Sequence, residues 1–221
     1  MEIDDLIIGY QRFLKNYLSD SNKENLDKLS LSQSPKVLLI RCCDSRLEPT
    51  IITKAPMGSF FTFSCIANLV PEYDISLITT NHPVVPAIYV AIEELNIKNI
   101  IVLGHSNCQG CKKIINNDWI NSFYIQYFAK FYNHVSNALI TKDINNNELD
   151  KFEFTEHEAI KFSINNLATY PFIKSKLNDE NFKIHGWYFN IKTGELEVLD
   201  NKGDFVSVEK FYSTEKNLQS N

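Results

Sequence analysis

The sequence predicts an α/β fold, a central and mainly parallel β-sheet flanked by helices, with a C-terminal hairpin or antiparallel edge and an N-terminal helical arm. Three observations point there. Lys36 to Cys42 is a short, continuously apolar run, as a buried parallel strand reads, and Ser59 to Cys65 and Asn99 to Leu103 read as a second and a third strand. Stretches with helical spacing separate them. Lys192-Thr193-Gly194 then lies between two further strand-like runs, which signals a hairpin. With 221 residues, 44% of them hydrophobic, the chain can fill one core but would be cramped by two. A single domain over 1–221 is expected, with 1–30 as the arm.

Each element has its own signal. Ile3, Leu6, Ile7, Tyr10, Phe13, Leu14, Tyr17 and Leu18 recur at helical spacing, a stripe that must cover apolar surface of this chain or of a partner subunit. Pro56-Met57-Gly58 supplies the turn into the second strand. Pro86 to Leu95 reads as helical, and the third strand runs into Gly104-His105-Ser106-Asn107 before a helical Cys108 to Ile115. Aromatic-rich Asp118 to Ile140 reads as another helix. Thr155-Glu156-His157-Glu158 offers a cap and an acidic first turn for a helix through Leu167, and Pro171 opens a short one. Phe182 to Ile191 and Glu195 to Leu199 are the hairpin strands. Trp187 and Tyr188 are expected to pack there.

Charge narrows the function classes. Against 27 Asp plus Glu stand 22 Lys plus Arg, a net charge of −5, so no field favours nucleic acid or an anionic membrane. A small diffusible substrate is the expectation. The acidic opening Met1-Glu2-Ile3-Asp4-Asp5 lacks the features of a signal peptide, and no uncharged run has membrane-spanning length. A cytoplasmic, reducing location is expected. There, clustered cysteines serve metal binding or redox chemistry more often than bridges, and this chain has five: Cys42, Cys43, Cys65, Cys108 and Cys111.

The chemistry gathers at two strand ends. If extended geometry persists past the first strand, Cys42, Asp44 and Arg46 line one side while Cys43 and Ser45 point elsewhere. After the third strand, His105 and Cys108 stand three apart at a strand-to-helix turn, which can bring imidazole and sulfur to one point. Two sulfurs and a nitrogen make a Cys₂His set, whose three ligands leave a fourth tetrahedral position open. Thiolate softness selects Zn²⁺ over magnesium or calcium. The other reading of Cys42 and Cys108, as buried small hydrophobes, leaves Asp44, Arg46 and His105 without an explanation.

C-x-D-S-R followed by G-H-S-x-C resembles the zinc signature of the β-class carbonic anhydrases. The similarity continues through Ile66-Ala67-Asn68-Leu69-Val70-Pro71, the approach from Glu93 to His105, Asn166-Leu167-Ala168-Thr169-Tyr170-Pro171 and His185-Gly186-Trp187, and covers about Gln33 to Leu199. The resemblance implies a zinc enzyme hydrating carbon dioxide reversibly to bicarbonate and a proton, through zinc-bound hydroxide. Cys42, His105 and Cys108 become the ligands and Asp44 with Arg46 the catalytic dyad. Gln33, Phe61 and Ile66 match substrate-contacting positions. A homodimer or homotetramer is implied, with an active site shared across the interface. The acidifying effect of zinc on water is best known from carbonic anhydrases with three histidines. Two thiolates balance more of the metal's charge, so activity rising towards alkaline pH is expected. A bidentate Arg46–Asp44 pair keeps the carboxylate off the metal. If Arg46 disengages, Asp44 can close the site as a fourth ligand.

Several positions depart from the family pattern. Ser64-Cys65 stands where an Arg-Asn pair is usual, Gln109-Gly110 where Gly-Gly is, and Val90 beside Tyr89 where a pocket tyrosine is frequent. Pro83-Val84-Val85 replaces small hydroxyl-bearing residues. Altered pockets keep open a related zinc hydrolase of carbon disulfide or carbonyl sulfide. A non-catalytic zinc protein closed by Asp44 and a thiol redox protein built on Cys108 and Cys111 are the other readings. Cys111, Cys43 and Cys65 read mainly as buried packing residues. The remaining histidines, His82, His134, His157 and His185, read as structural or exposed.

Overall fold

The computed structural model of the chain describes residues 2–17, 20–79, 82–118, 125–142 and 148–219. It divides into two units, Met1–Pro35 and Lys36–Asn221. The first holds α1 (Ile3–Tyr17) and α2 (Asp20–Leu31). Asp4 and Asp5 in the first turn of α1 and Lys15 in its last complement the helix dipole. The apolar stripe is exposed: Ile3, Leu6, Ile7, Tyr10 and Phe13 all face outward.

The second unit is built in the order β1 (Val37–Cys42), α3 (Pro49–Thr53), β2 (Phe60–Cys65), α4 (Ile75–Thr79), α5 (Val84–Tyr89), β3 (Asn99–His105), α6 (Gln109–Ile115), α7 (Ile125–Thr141), α8 (Glu148–Leu167), α9 (Pro171–Lys174), β4 (Lys183–Phe189), β5 (Leu196–Leu199), β6 (Phe205–Ser207) and α10 (Val208–Gln219). The strands form one six-stranded sheet in the order β2-β1-β3-β4-β5-β6. β1 pairs in parallel with β2 and β3, and β3 with β4, while β5 and β6 add an antiparallel edge. The expected α/β sheet with an antiparallel C-terminal edge is the observed one. Along the parallel strands alternate residues enter two cores. Leu38, Ile40, Ile100 and Val102 join one, and Leu39, Ile101 and Leu103 the other.

This topology fixes where a site can form. The chain leaves β1 for β2 on one side, then returns to place β3 on the other, so strand order reverses between β1 and β3. Loops that leave neighbouring carboxyl ends in opposite directions open a crevice, the usual ligand position in such sheets. Cys42 ends β1 and His105 ends β3.

Local structure departs from the sequence reading in five places. The helix expected over Pro86 to Leu95 is α5 followed by a π-helical turn, Val90–Glu94. The helix expected from Asp118 begins at Ile125, with 119–124 outside the described residues. Thr155 and Glu156 are not a helix start, because α8 begins at Glu148 and both are buried at mid-helix. Thr155 Oγ1 donates back to Lys151 O, and Glu156 turns inward. Extended geometry stops at Cys42: Leu47 N–H donates to Asp44 O, closing a turn over Ser45 and Arg46. Finally, β6 and α10 lie beyond the hairpin as further elements.

α8 is pressed against the sheet. A Cβ on Gly104 would lie 2.9 Å from Ile160 Cδ1, and one on Gly186 would lie 3.0 Å from Ile160 Cγ2. Only glycine on β3 and β4 lets Ile160 seat this deeply. Glu156, one helical turn earlier on the same face, thereby comes level with the end of β3.

Candidate metal centre

Cys42, His105 and Cys108 are buried, and their ligand atoms lie within 4.8 Å of one another. The two sulfurs are 3.9 Å apart. Two sulfurs bound to one zinc at about 2.3 Å and a tetrahedral angle would lie about 3.8 Å apart, so the spacing fits that ion. His105 Nδ1 meets Ser106 O at 2.9 Å, which requires the Nδ1–H tautomer and leaves the Nε2 lone pair for a ligand bond. His105 Nε2 is buried without a hydrogen-bond partner. An orphaned imidazole nitrogen beside two thiols is the pattern a soft dication satisfies.

The thiols are poised by each other. Cys42 is pushed up to about 12 by its hydrogen bond with Cys108 and by burial. Cys108 is also raised, first by its hydrogen bond with Cys111 and then by burial. Both effects disfavour a free thiolate and would be reversed by a cation between the sulfurs.

Asp44 and Arg46 meet as the sequence suggests, by a different route. The turn over Ser45 and Arg46, not strand alternation, folds Arg46 back. Its Nε donates to Asp44 Oδ1 at 2.9 Å, its Nη2 to Oδ2 at 2.7 Å and its backbone N–H to Oδ1 at 3.0 Å. This bidentate guanidinium holds the Asp44 carboxyl down at about 2. Asp44 Oδ2 is 3.7 Å from His105 Nε2, so the carboxylate borders the ligand cluster while committed to Arg46. Arg46 Nη2 also donates to Asn107 O at 2.9 Å, joining the two ligand-bearing loops.

Other predicted residues fall in different settings. Ile66 is half-buried against the core that contains Cys42, Cys108 and Cys111. Phe61 packs against the core of Leu38 and Ile40. Gln33 belongs to the N-terminal unit and is exposed there, just after α2. Val90 lies in the π-helical turn, and Tyr89 is an exposed ring packed edge-on against Phe172 at 5.6 Å. None of the five cysteines is in a disulfide. Cys111 is buried as expected and Cys65 partly so, whereas Cys43, just past the end of β1, is exposed, a correction to its reading as a packing residue.

Sequence reasoning missed three sets of contacts. Arg41 closes the turn after β1, donating to Leu47 O and lying 3.8 Å from Glu48. Ser163 on α8 donates to Asn68 O and accepts the Val70 N–H, and Asn166 donates to Val70 O. Together these hold Ala67 and Asn68, both non-glycine residues in the left-handed region at φ 55 and 49. Glu156 makes the third. It is 3% exposed, its Oε1 accepts the Cys108 N–H and its Oε2 accepts the Tyr188 hydroxyl, each at 2.8 Å. Burial pushes its carboxyl up to about 7 despite these bonds. The i−4 spacing from Ile160 was the one signal that could have shown Glu156 facing inward.

Comparison with known proteins agrees with this geometry. A family model described as carbonic anhydrase matches residues 37–196. A carbonic anhydrase of Synechocystis sp. is 32% identical over 91% of this chain and 73% of its own length. The solved β-carbonic anhydrase CcaA superposes with a TM-score of 0.82 at 30% identity, over 93% of this chain and 91% of that one. A tetrameric β-carbonic anhydrase from Sordaria macrospora shares the fold with a TM-score of 0.76 at 23% identity, over 92% of this chain and 98% of its own. Among the described residues no helix is long and apolar enough to cross a membrane. By the matched family model and the relatives covered along most of their length, the chain belongs to the β-class carbonic anhydrases, enzymes of carbon dioxide hydration.

Proposed function

We propose that the chain hydrates carbon dioxide reversibly at a zinc ion held by Cys42, His105 and Cys108, with Asp44 and Arg46 as the catalytic pair. The observation that carries this reading is the bidentate Arg46–Asp44 contact at 2.9 and 2.7 Å, beside three converging ligand atoms. Zinc bound there supplies a Lewis acid that acidifies water, less strongly than among three histidines because two thiolates already balance its charge. The remaining steps belong to the chain. Asp44, ionised at any working pH, accepts a hydrogen bond from the attacking water and orients its lone pair. Arg46 fixes both Asp44 oxygens, so the carboxylate serves as acceptor and would be kept from binding an ion held by Cys42, His105 and Cys108. Ser106 O fixes the His105 ring through Nδ1.

The same reading extends to the substrate and the assembly. Carbon dioxide is small and nonpolar and suits an apolar approach past Ile66, with Phe61 and Gln33 contributing to a site shared across a dimer interface. A homodimer, or a tetramer built from dimers, would bury the α1 stripe, in which Ile3 is 70% exposed and Leu6 and Ile7 about half exposed. The 1–30 arm packing on a partner subunit is therefore part of the proposal. A reducing, cytoplasmic setting suits two ligand thiols that must stay reduced. Metal content measured with the hydration rate across pH tests the whole. One zinc per chain with a rate rising towards alkaline pH is expected; one zinc per chain with no hydration at any pH would sink it.

A further inference from the structure

We infer that Glu156 is a positioning residue for the metal centre, a buried clamp that sets the backbone of Cys108 and through it the direction of the thiolate. This rests on Cys108 being a metal ligand. Cys108 occupies the cap position of α6 with extended backbone at φ −66 and ψ 117, and its side chain makes no cap hydrogen bond. The preceding Asn107 stands in the left-handed region at φ 59. A residue between a left-handed neighbour and a short helix has little local structure to fix it. Its own N–H is held instead from 48 residues away, by Glu156 Oε1 at 2.8 Å.

Glu156 is itself immobilised in two ways. Ile160, four residues on, is wedged between Gly104 of β3 and Gly186 of β4. The second oxygen accepts from Tyr188, which is 2% exposed and stands beside Gly104 in the β3–β4 register. The sheet that carries His105 therefore also carries the anchor of Cys108. Cys42 ends β1 of the same sheet, so one rigid body sets all three residues. A buried acid is costly to keep, and an ordinary packing position in α8 would be filled by an apolar residue. Here both oxygens are occupied, one by the ligand-bearing loop and one by the sheet.

The test compares Glu156→Gln and Glu156→Ala. Glutamine can offer its carbonyl to Cys108 N–H and its amide N–H to the Tyr188 oxygen, so it preserves the geometry while removing the charge. Alanine removes both. Zinc affinity by chelator competition and the thiolate-to-cobalt absorption of the Co(II)-loaded protein are read beside thermal stability. Alanine is expected to weaken zinc binding about 10- to 100-fold and shift the cobalt bands, with glutamine staying within about threefold of wild type. Unchanged zinc affinity and cobalt bands in Glu156→Ala, whatever its melting temperature, would overturn the inference. So would glutamine behaving like alanine, since charge would then be the cause. If alanine does not fold, Tyr188→Phe takes its place: a few-fold loss of zinc affinity is expected, and no change contradicts the clamp. Thiolate-to-cobalt bands in the wild-type protein test the ligand role of Cys108 separately.

Discussion

Two carboxylates flank the same ligand cluster, and they are held in opposite ways. Asp44 stands at the mouth of the strand-end crevice with its side chain 14% exposed, gripped by a guanidinium and held down at about 2. Glu156 lies behind the cluster, 3% exposed, bonded only to a backbone amide and a phenol, and pushed up to about 7. Neutral donors do not repay the desolvation of a buried anion, whereas a bidentate cation does. The front carboxylate thus keeps its charge at every working pH and can act on water. The rear one has no access to water and acts by holding the backbone.

Removing the front partner should have the largest effect. Arg46→Ala is expected to lower carbon dioxide hydration about 100-fold or more while zinc content stays at one per chain. Full hydration in this variant, or loss of zinc with it, would break the division between a front that reacts and a rear that holds.

A smaller effect sharpens the rear side. His157 follows Glu156, with its ring edge-on to Tyr188 at 4.4 Å and stacked on Phe205 at 4.1 Å. Burial, with Lys161 adding to it, lowers its pKa to about 4. Between about 4 and the ordinary 6.5 the unfolded chain takes up a proton that the folded one refuses. The His157 contribution to stability is therefore full above about 6.5, falls as pH drops and levels off below about 4, by about 3 kcal/mol, while the raised carboxyl of Glu156 contributes in the opposite direction between about 4.5 and 7. His157→Phe should remove the His157 contribution alone, so that its unfolding profile and that of wild type differ in slope between about pH 4 and 6.5. An identical slope in both proteins would show that the aromatic packing behind Glu156 is looser than its geometry implies.

How much of this was legible in the sequence follows from what each signal encodes. Continuous apolar runs mark strands buried on both faces, so β1 and β3 could be read directly, while β2, an edge strand with Thr62 and Ser64 exposed, was legible from its aromatic run and the hairpin from its turn. The convergence of Cys42, His105 and Cys108 was legible because soft donors at two strand ends have few structural explanations. The pairing of Asp44 with Arg46 was legible too, but its cause was not, since a turn and a strand put residues two apart on one side by different means. Glu156 was misread because an acidic residue after a threonine looks like a helix start. Its inward direction depends on Gly104, Gly186 and Ile160, residues brought together only by the tertiary fold.

The most direct test of the account is metal removal and return. Hydration of carbon dioxide would be followed by stopped flow on protein stripped with a chelator under reducing conditions and then titrated with zinc. The account predicts loss of activity on stripping and linear recovery that ends at one zinc per chain, absent in Cys42→Ser and His105→Ala. Hydration that survives complete stripping, or that fails to return when one zinc per chain has been bound, would contradict it.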